Sequence, residues 1–162
     1  GGGSTHVFLA CNTSHVFLDE VRALAPEAAG YIVDMIALLS ADAAGRGIRR
    51  AFLLASEGTI ASGIYQDRFG AEGVEVVPAG EEMQGRLRDF IEVVKQNKVD
   101  AAAKAEFAAF VCELGEPCVI LGCTELPLLI DGPVEGVELL DPMQAAINYV
   151  VRAQAEAKRL IK

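Results

Sequence analysis

Short apolar runs without polar alternation recur along this chain, and most are followed by a stretch whose apolar positions return every three or four residues. The runs predict strands over 7–10, 31–33, 50–55, 74–77, 118–121 and 137–140. The intervening periodicity predicts helices over 14–25, ended by Pro26, over 34–44, closed by Gly45 and Gly47, and over 59–69. Two longer amphipathic helices follow over 81–96 and 100–114, with Leu87, Phe90, Ile91 and Val94 at helical spacing. A short helix from Glu125 and a last one from Pro142 complete the series. Strands that are apolar on both faces, alternating with helices, predict an α/β fold: parallel sheets covered by helices. Ligands of such sheets sit at the carboxyl ends of the strands, where the loops begin.

Composition narrows the function classes. At 162 residues and 52% hydrophobic content, the chain is able to bury a core as one domain or two small lobes. The net charge is −9, and no cluster of Lys or Arg is dense enough to track phosphates, which argues against nucleic acid as a partner. The longest apolar run, near 119–130, is broken by Glu125 and Pro127, too short for a membrane span. Four cysteines, Cys11, Cys112, Cys118 and Cys123, form no C-x-x-C pair, and only His6 and His15 are available to join them. Neither a metal site nor a disulfide framework is expected, and reduced thiols point to the cytoplasm. Cys112 reads as a buried helix residue and Cys118 as a strand residue.

Two of the cysteines stand in a repeated local device. Cys11-Asn12-Thr13-Ser14-His15 follows the run 7–10, and Gly122-Cys123-Thr124-Glu125-Leu126-Pro127 follows 118–121. Each places a thiol, then a hydroxyl residue, between a strand end and a helix start, where negative charge is favoured and thiolate is stabilised. Together with Ala55-Ser56-Glu57-Gly58-Thr59-Ile60-Ala61-Ser62-Gly63-Ile64-Tyr65 and the spacing of the three blocks, these motifs resemble the aspartate/glutamate racemase superfamily. The branch they are most similar to holds the aspartate and broad-specificity amino-acid racemases; glutamate racemases usually carry histidine where Glu125 stands.

The resemblance implies two pseudo-symmetric lobes, with 1–45 and 142–162 forming an incomplete first lobe and 46–141 the second. The cluster Gly45-Arg46-Gly47 suits that boundary. The strand 7–10 lies late in the family's first lobe, and Gly1-Gly2-Gly3-Ser4 reads as a linker-like start, so the chain is expected to lack part of that lobe, to be inactive alone and to associate through uncovered apolar surface such as Ile147, Val150 and Val151. The implied activity is cofactor-independent racemisation of aspartate, glutamate or a broader amino-acid set, with no metal, a small amino acid as ligand and a homodimer as assembly.

Cys11 and Cys123 are the expected proton donor and acceptor, one thiolate and one thiol. Asn12, Thr13 and Thr124 are expected to hold the α-carboxylate and ammonium, although Thr13 and Thr124 also suit helix N-caps. Glu125 suits either the substrate ammonium or a helix dipole. Thr59, with Ser62 one turn on, suits a carboxylate contact or a cap. The family places a carboxylate-binding lysine where Lys95 stands, better matched than Lys98; solvation alone also accounts for it. His15 reads as a packed core histidine before a catalytic one. Other readings are a hydantoin racemase or maleate isomerase, and a binding fragment without turnover.

Overall fold

The computed structural model describes residues 5–160. It begins with β1 (Val7–Phe8), a 3-10 turn (Thr13–Phe17), α1 (Leu18–Leu24), α2 (Pro26–Ala29), β2 (Ile32–Val33) and α3 (Met35–Gly45). β3 (Arg50–Leu54), α4 (Glu57–Ser62), α5 (Ile64–Ala71), β4 (Glu75–Pro78), α6 (Glu81–Lys95) and α7 (Ala101–Glu113) follow. The chain closes with β5 (Cys118–Leu121), a second 3-10 turn (Leu126–Leu129), β6 (Glu138–Leu140) and α8 (Pro142–Leu160). Local chemistry sets several boundaries. The Asp34 carboxylate accepts from the backbone N–H groups of Ile36 and Ala37 and starts α3, while Asp100 does the same for α7 through Ala103.

Every strand pairing is parallel among the described strands. β1 and β2 form a small ladder, Val7 opposite Ile32 and Phe8 opposite Val33. The larger sheet runs β4-β3-β5-β6, with Ala51 opposite Val76, Phe52 opposite Val119 and Ile120 opposite Leu140. Its two central strands, β3 and β5, supply alternate residues to opposite faces, and both faces are buried. Leu53 and Ile120 meet α3 and α5 through Met35, Ile36, Leu39, Tyr65 and Phe69. Phe52, Leu54, Val119 and Leu121 meet α6 and α7 through Leu87, Ile91 and the trio Phe90, Phe107 and Phe110. Phe90 lies 5.0 Å from Phe107 and 5.4 Å from Phe110, ring centre to ring centre. Burial on both faces is why these strands read as unbroken apolar runs.

The structure departs from the sequence expectation at Gly63, Pro26 and Cys112; the strand expected over 7–10 also shortens to Val7–Phe8, and the helix expected over 14–25 opens as a 3-10 turn. The helix expected over 59–69 is two, because Gly63 takes a left-handed conformation (φ +69°) that ends α4 and re-aims the chain into α5. Pro26 ends α1 but also opens the single turn of α2, since proline's missing N–H costs nothing at the first helical position. Cys112 is exposed: α7 buries Phe107, Phe110 and Val111, and the next residue turns about 100° away from that face. The Gly45–Gly47 turn joins α3 to β3 with α3 already packed on the large sheet, and α8 touches both regions. Ala146 sits in the sheet-facing cluster, while the Tyr149 ring meets His6, beside β1, edge-on at 5.5 Å. Ile147, Tyr149 and Val151 on α8, and Phe17, Val21 and Leu24 on the α1 side, are exposed. No described helix is long and apolar enough to cross a membrane.

Candidate active site

Both cysteine motifs begin just beyond the carboxyl ends of parallel strands, Cys11 after β1 and Cys123 after β5. Their settings differ. Cys11 is exposed, and the Ser14 side chain bonded to it holds its pKa below the ordinary thiol value. Partial burial pushes the other way, and the backbone N–H groups of Ser14 and Thr13 and the Thr13 hydroxyl reinforce the lowering. The loop beneath is tied down. His15, almost fully buried, donates from Nδ1 to the Cys11 carbonyl at 2.9 Å, and its Nε2 is buried with no partner among the described residues. Asn12 is also buried, and its Oδ1 accepts a hydrogen bond from the Tyr65 hydroxyl at 3.1 Å.

Cys123 is half-buried and stands on a rigid base. A Cβ built on Gly122 would lie 2.7 Å from Leu53 Cδ1, 3.0 Å from Ala55 Cβ and 3.1 Å from the Leu54 carbonyl oxygen. That oxygen also accepts the Gly122 N–H at 2.7 Å, so only glycine lets β5 lie this close to the end of β3. The Cys123 thiol donates to Glu125 Oε2 at 2.9 Å, and the Thr124 hydroxyl donates to the same oxygen at 3.1 Å. Burial, then the Glu125 carboxylate that accepts its proton, push the Cys123 pKa up to about 12. Burial also works against the Glu125 anion, but the bonds from Cys123, from its own backbone and from Thr124, with Lys95 nearby, hold it below the ordinary carboxylate range. The lowering expected for both thiols is found at Cys11, where the Ser14 side chain leads it, and is reversed at Cys123. The turn after Cys123 is a 3-10 helix of four residues, too short to offset the neighbouring anion.

A chain of hydroxyls carries the first loop onto the large sheet. Thr13 Oγ1 lies 2.7 Å from Thr59 Oγ1, which lies 3.0 Å from Ser56 Oγ. Thr59 is buried, with its hydroxyl committed to this chain, and Ser62 donates to its carbonyl at 2.6 Å. The cap of α4 is Ser56, not Thr59; Thr13 and Thr124 make no capping bond either. An open cleft of 640 Å³ lies between this turn and α6, lined by Ser56, Gly58, Gln84, Arg88 and Lys95. Lys95 is exposed there, and its charge lowers the pKa of both Cys123 and Glu125, whereas the Lys98 ammonium bonds to Gln96. A groove of 350 Å³ between α3 and α8 holds none of these groups.

Tyr65 and Asp141 carry no expected role from sequence, yet both belong to this neighbourhood. Burial, then the charges of Asp141, Cys123 and Asp34, raise the Tyr65 pKa well above a phenol's ordinary value. Burial also raises that of Asp141, whose carboxylate starts α8 by accepting from Met143 N at 2.8 Å. Tyr65 thus bonds beside one cysteine and feels the charge of the other. No hydrogen bond joins Cys11 to Cys123 among the described residues.

The sequence profile of the Asp/Glu/Hydantoin racemase family matches residues 2–150. An aspartate racemase homologue from Pyrococcus horikoshii OT3 has a similar structure: TM-score 0.75 at 26% identity, covering 94% of this chain and 68% of that one. The aspartate racemase of Picrophilus torridus aligns with a TM-score of 0.66 at 23% identity, over 86% of this chain and 58% of its own. Glutamate racemase from Francisella tularensis subsp. tularensis SCHU S4, in complex with D-glutamate, gives 0.65 at 21% identity, over 95% and 58%. At 21% and 23% identity the likeness is one of fold, and the chain spans about three fifths of those two proteins' length.

Proposed function

This chain belongs to the Asp/Glu/Hydantoin racemase family, and from that footing we propose that it serves a cofactor-independent amino-acid racemase acting on aspartate, glutamate or a broader set. The observation that carries the reading is the opposed poise of two thiols at matched strand ends. One is drawn toward thiolate by hydroxyl and N–H donors, and the other is kept protonated by burial and a carboxylate. Racemisation needs such a pair: a base takes the Cα proton from one face, and an acid returns one to the other.

In the resting form Cys11 is the base and Cys123 the acid. Each turnover leaves them with exchanged protonation, ready for the reverse direction. Asn12, Thr13 and Thr124 hold the α-carboxylate and ammonium, and Thr59 supports Thr13 through the hydroxyl chain. Glu125 keeps the proton on Cys123 and lies in reach of a substrate ammonium. Lys95, which lines the cleft beside α6, suits a distal carboxylate. Reduced thiols accord with a cytoplasmic location, and a homodimer is the assembly proposed.

The test is incubation of the protein at its full natural length with L-aspartate, L-glutamate or L-alanine, without pyridoxal phosphate, followed by chiral chromatography. Approach to equal amounts of both enantiomers for at least one substrate is expected. Absence of the D-enantiomer for all three, or a requirement for pyridoxal phosphate, overturns the reading.

A further inference from the structure

Tyr65 is fully buried on α5, 53 positions along the chain from the residue its hydroxyl serves. An asparagine side chain presents two unlike ends, an oxygen that accepts and a nitrogen that donates twice, and only its hydrogen-bond partners decide which end points where. The Tyr65 hydroxyl donates to Asn12 Oδ1 at 3.1 Å, so the oxygen end of the amide faces the interior. With Oδ1 held in the interior, the amide nitrogen of Asn12, next to Cys11 in the chain, makes no hydrogen bond to any described residue. The ring itself cannot wander: it packs 5.9 Å from Phe69 within the buried cluster under β3.

We propose that Tyr65 is a positioning residue that holds the Asn12 amide with its N–H groups turned toward the α-carboxylate of the substrate. The inference rests on the racemase reading for the identity of the ligand. It goes beyond that reading in naming what sets the donor's direction. A flipped Asn12 would meet the carboxylate with its oxygen, replacing attraction by repulsion between two acceptors. Because the α-carboxylate is bound before and during proton transfer alike, losing this control weakens binding without slowing the chemical step.

Tyr65→Phe keeps the ring and its packing and removes the single donor. In the full-length protein it is expected to raise KM by about 5- to 10-fold, the worth of one hydrogen bond, with kcat within about 2-fold. In an Asn12→Ala background the same change is expected to alter KM by less than about 2-fold, because the group it acts on is gone. An equal factor in both backgrounds makes Tyr65 a packing residue and overturns the proposal, as does a fall in kcat alone. A readout independent of turnover is the Asn12 side-chain amide followed by nitrogen-15 NMR during titration with L-aspartate. The amide proton pair is expected to shift on binding, with an affinity 5- to 10-fold weaker in Tyr65→Phe. Unchanged affinity in the variant, or no shift of that pair in either protein, refutes the positioning role. Tyr65-dependent binding without racemisation upholds it while removing the catalytic reading.

Discussion

The Cys11 and Cys123 loops are close to the same sentence written twice, yet they poise their thiols in opposite directions. Each follows a parallel strand, each continues into a hydroxyl residue and a 3-10 turn. At Cys11 the near groups are neutral donors, Ser14 and Thr13, on an exposed loop beside a two-stranded ladder. At Cys123 the near group is the Glu125 carboxylate, on a half-buried loop at the centre of a four-stranded sheet. Strand-end placement delivers each thiol; burial together with the residue two or three positions on decides whether it holds its proton. The racemase reading needs one thiolate and one thiol at a time, and this contrast names which is which in the resting form.

The hardest blow to the comparison is removal of either sulfur. Cys11→Ser and Cys123→Ser are each expected to lower racemisation in both directions by about a thousandfold, while exchange of the α-proton with solvent persists from one enantiomer. Chiral chromatography in deuterated buffer reads both quantities, and full activity in either variant strips the contrast of catalytic meaning.

The next effect is chemical. Iodoacetamide at about pH 8 is expected to alkylate Cys11 roughly 100-fold faster than Cys123, since thiolate is the reactive form and Cys123 holds its proton to about 12. Peptide mass spectrometry separates the four cysteines. Equal rates would show that the two loops are not differently poised.

Replacing Glu125 by Gln sharpens the cause. The Cys123 pKa falls once the anion is gone but stays raised by burial, and alkylation of Cys123 is expected to quicken about tenfold with Cys11 unchanged. A change of equal size at both thiols would point to a loosened fold.

A smaller consequence appears in stability. Cys123 keeps in the folded state a proton that the unfolded chain gives up near 9, so its contribution is full below pH 9 and is lost as pH rises toward 12. Urea midpoints near pH 8 and pH 10 are expected to fall further in the wild type than in Cys123→Ala, by roughly 1 kcal/mol at the higher pH. The smallest change is Ser14→Ala, which raises the Cys11 pKa and slows its alkylation near neutral pH by about 3-fold.

Much of this was legible before any coordinates. The runs at 50–54 and 118–121 carry no polar residue beyond Arg50 and Cys118, and burial on both faces leaves a sequence no other way to read. The placement of both cysteines at strand ends follows from that pattern. What stayed hidden depends on neighbours that pattern does not encode. Gly63 looks like a tolerated helical glycine until its φ turns positive. Glu125 beside Cys123 suggests a helix dipole, and only the 2.9 Å bond and half-burial show that it raises the thiol instead. Tyr65 reads as an ordinary core aromatic because Asn12 is 53 residues away. The cap assigned to Thr59 belongs to Ser56, three residues earlier, a shift that side-chain geometry alone reveals.

Position 122 sets a limit on how this scaffold adapts. The Leu53 methyl that a larger residue would strike is itself fully buried, and behind it stand the Leu54 carbonyl oxygen of β3 and the Cβ of Ala55, the residue after that strand. Re-aiming Cys123 by substitution at 122 therefore means displacing β3, and with it the Ser56 turn that begins α4. The Cys123 thiol and that turn travel as one body. On the racemase reading, accommodation of a substrate of another shape falls to the Cys11 loop, which hangs from two short strands and a few side-chain bonds. In a saturation library, position 122 would come back empty, and the variants with new specificities would cluster around residues 11–15.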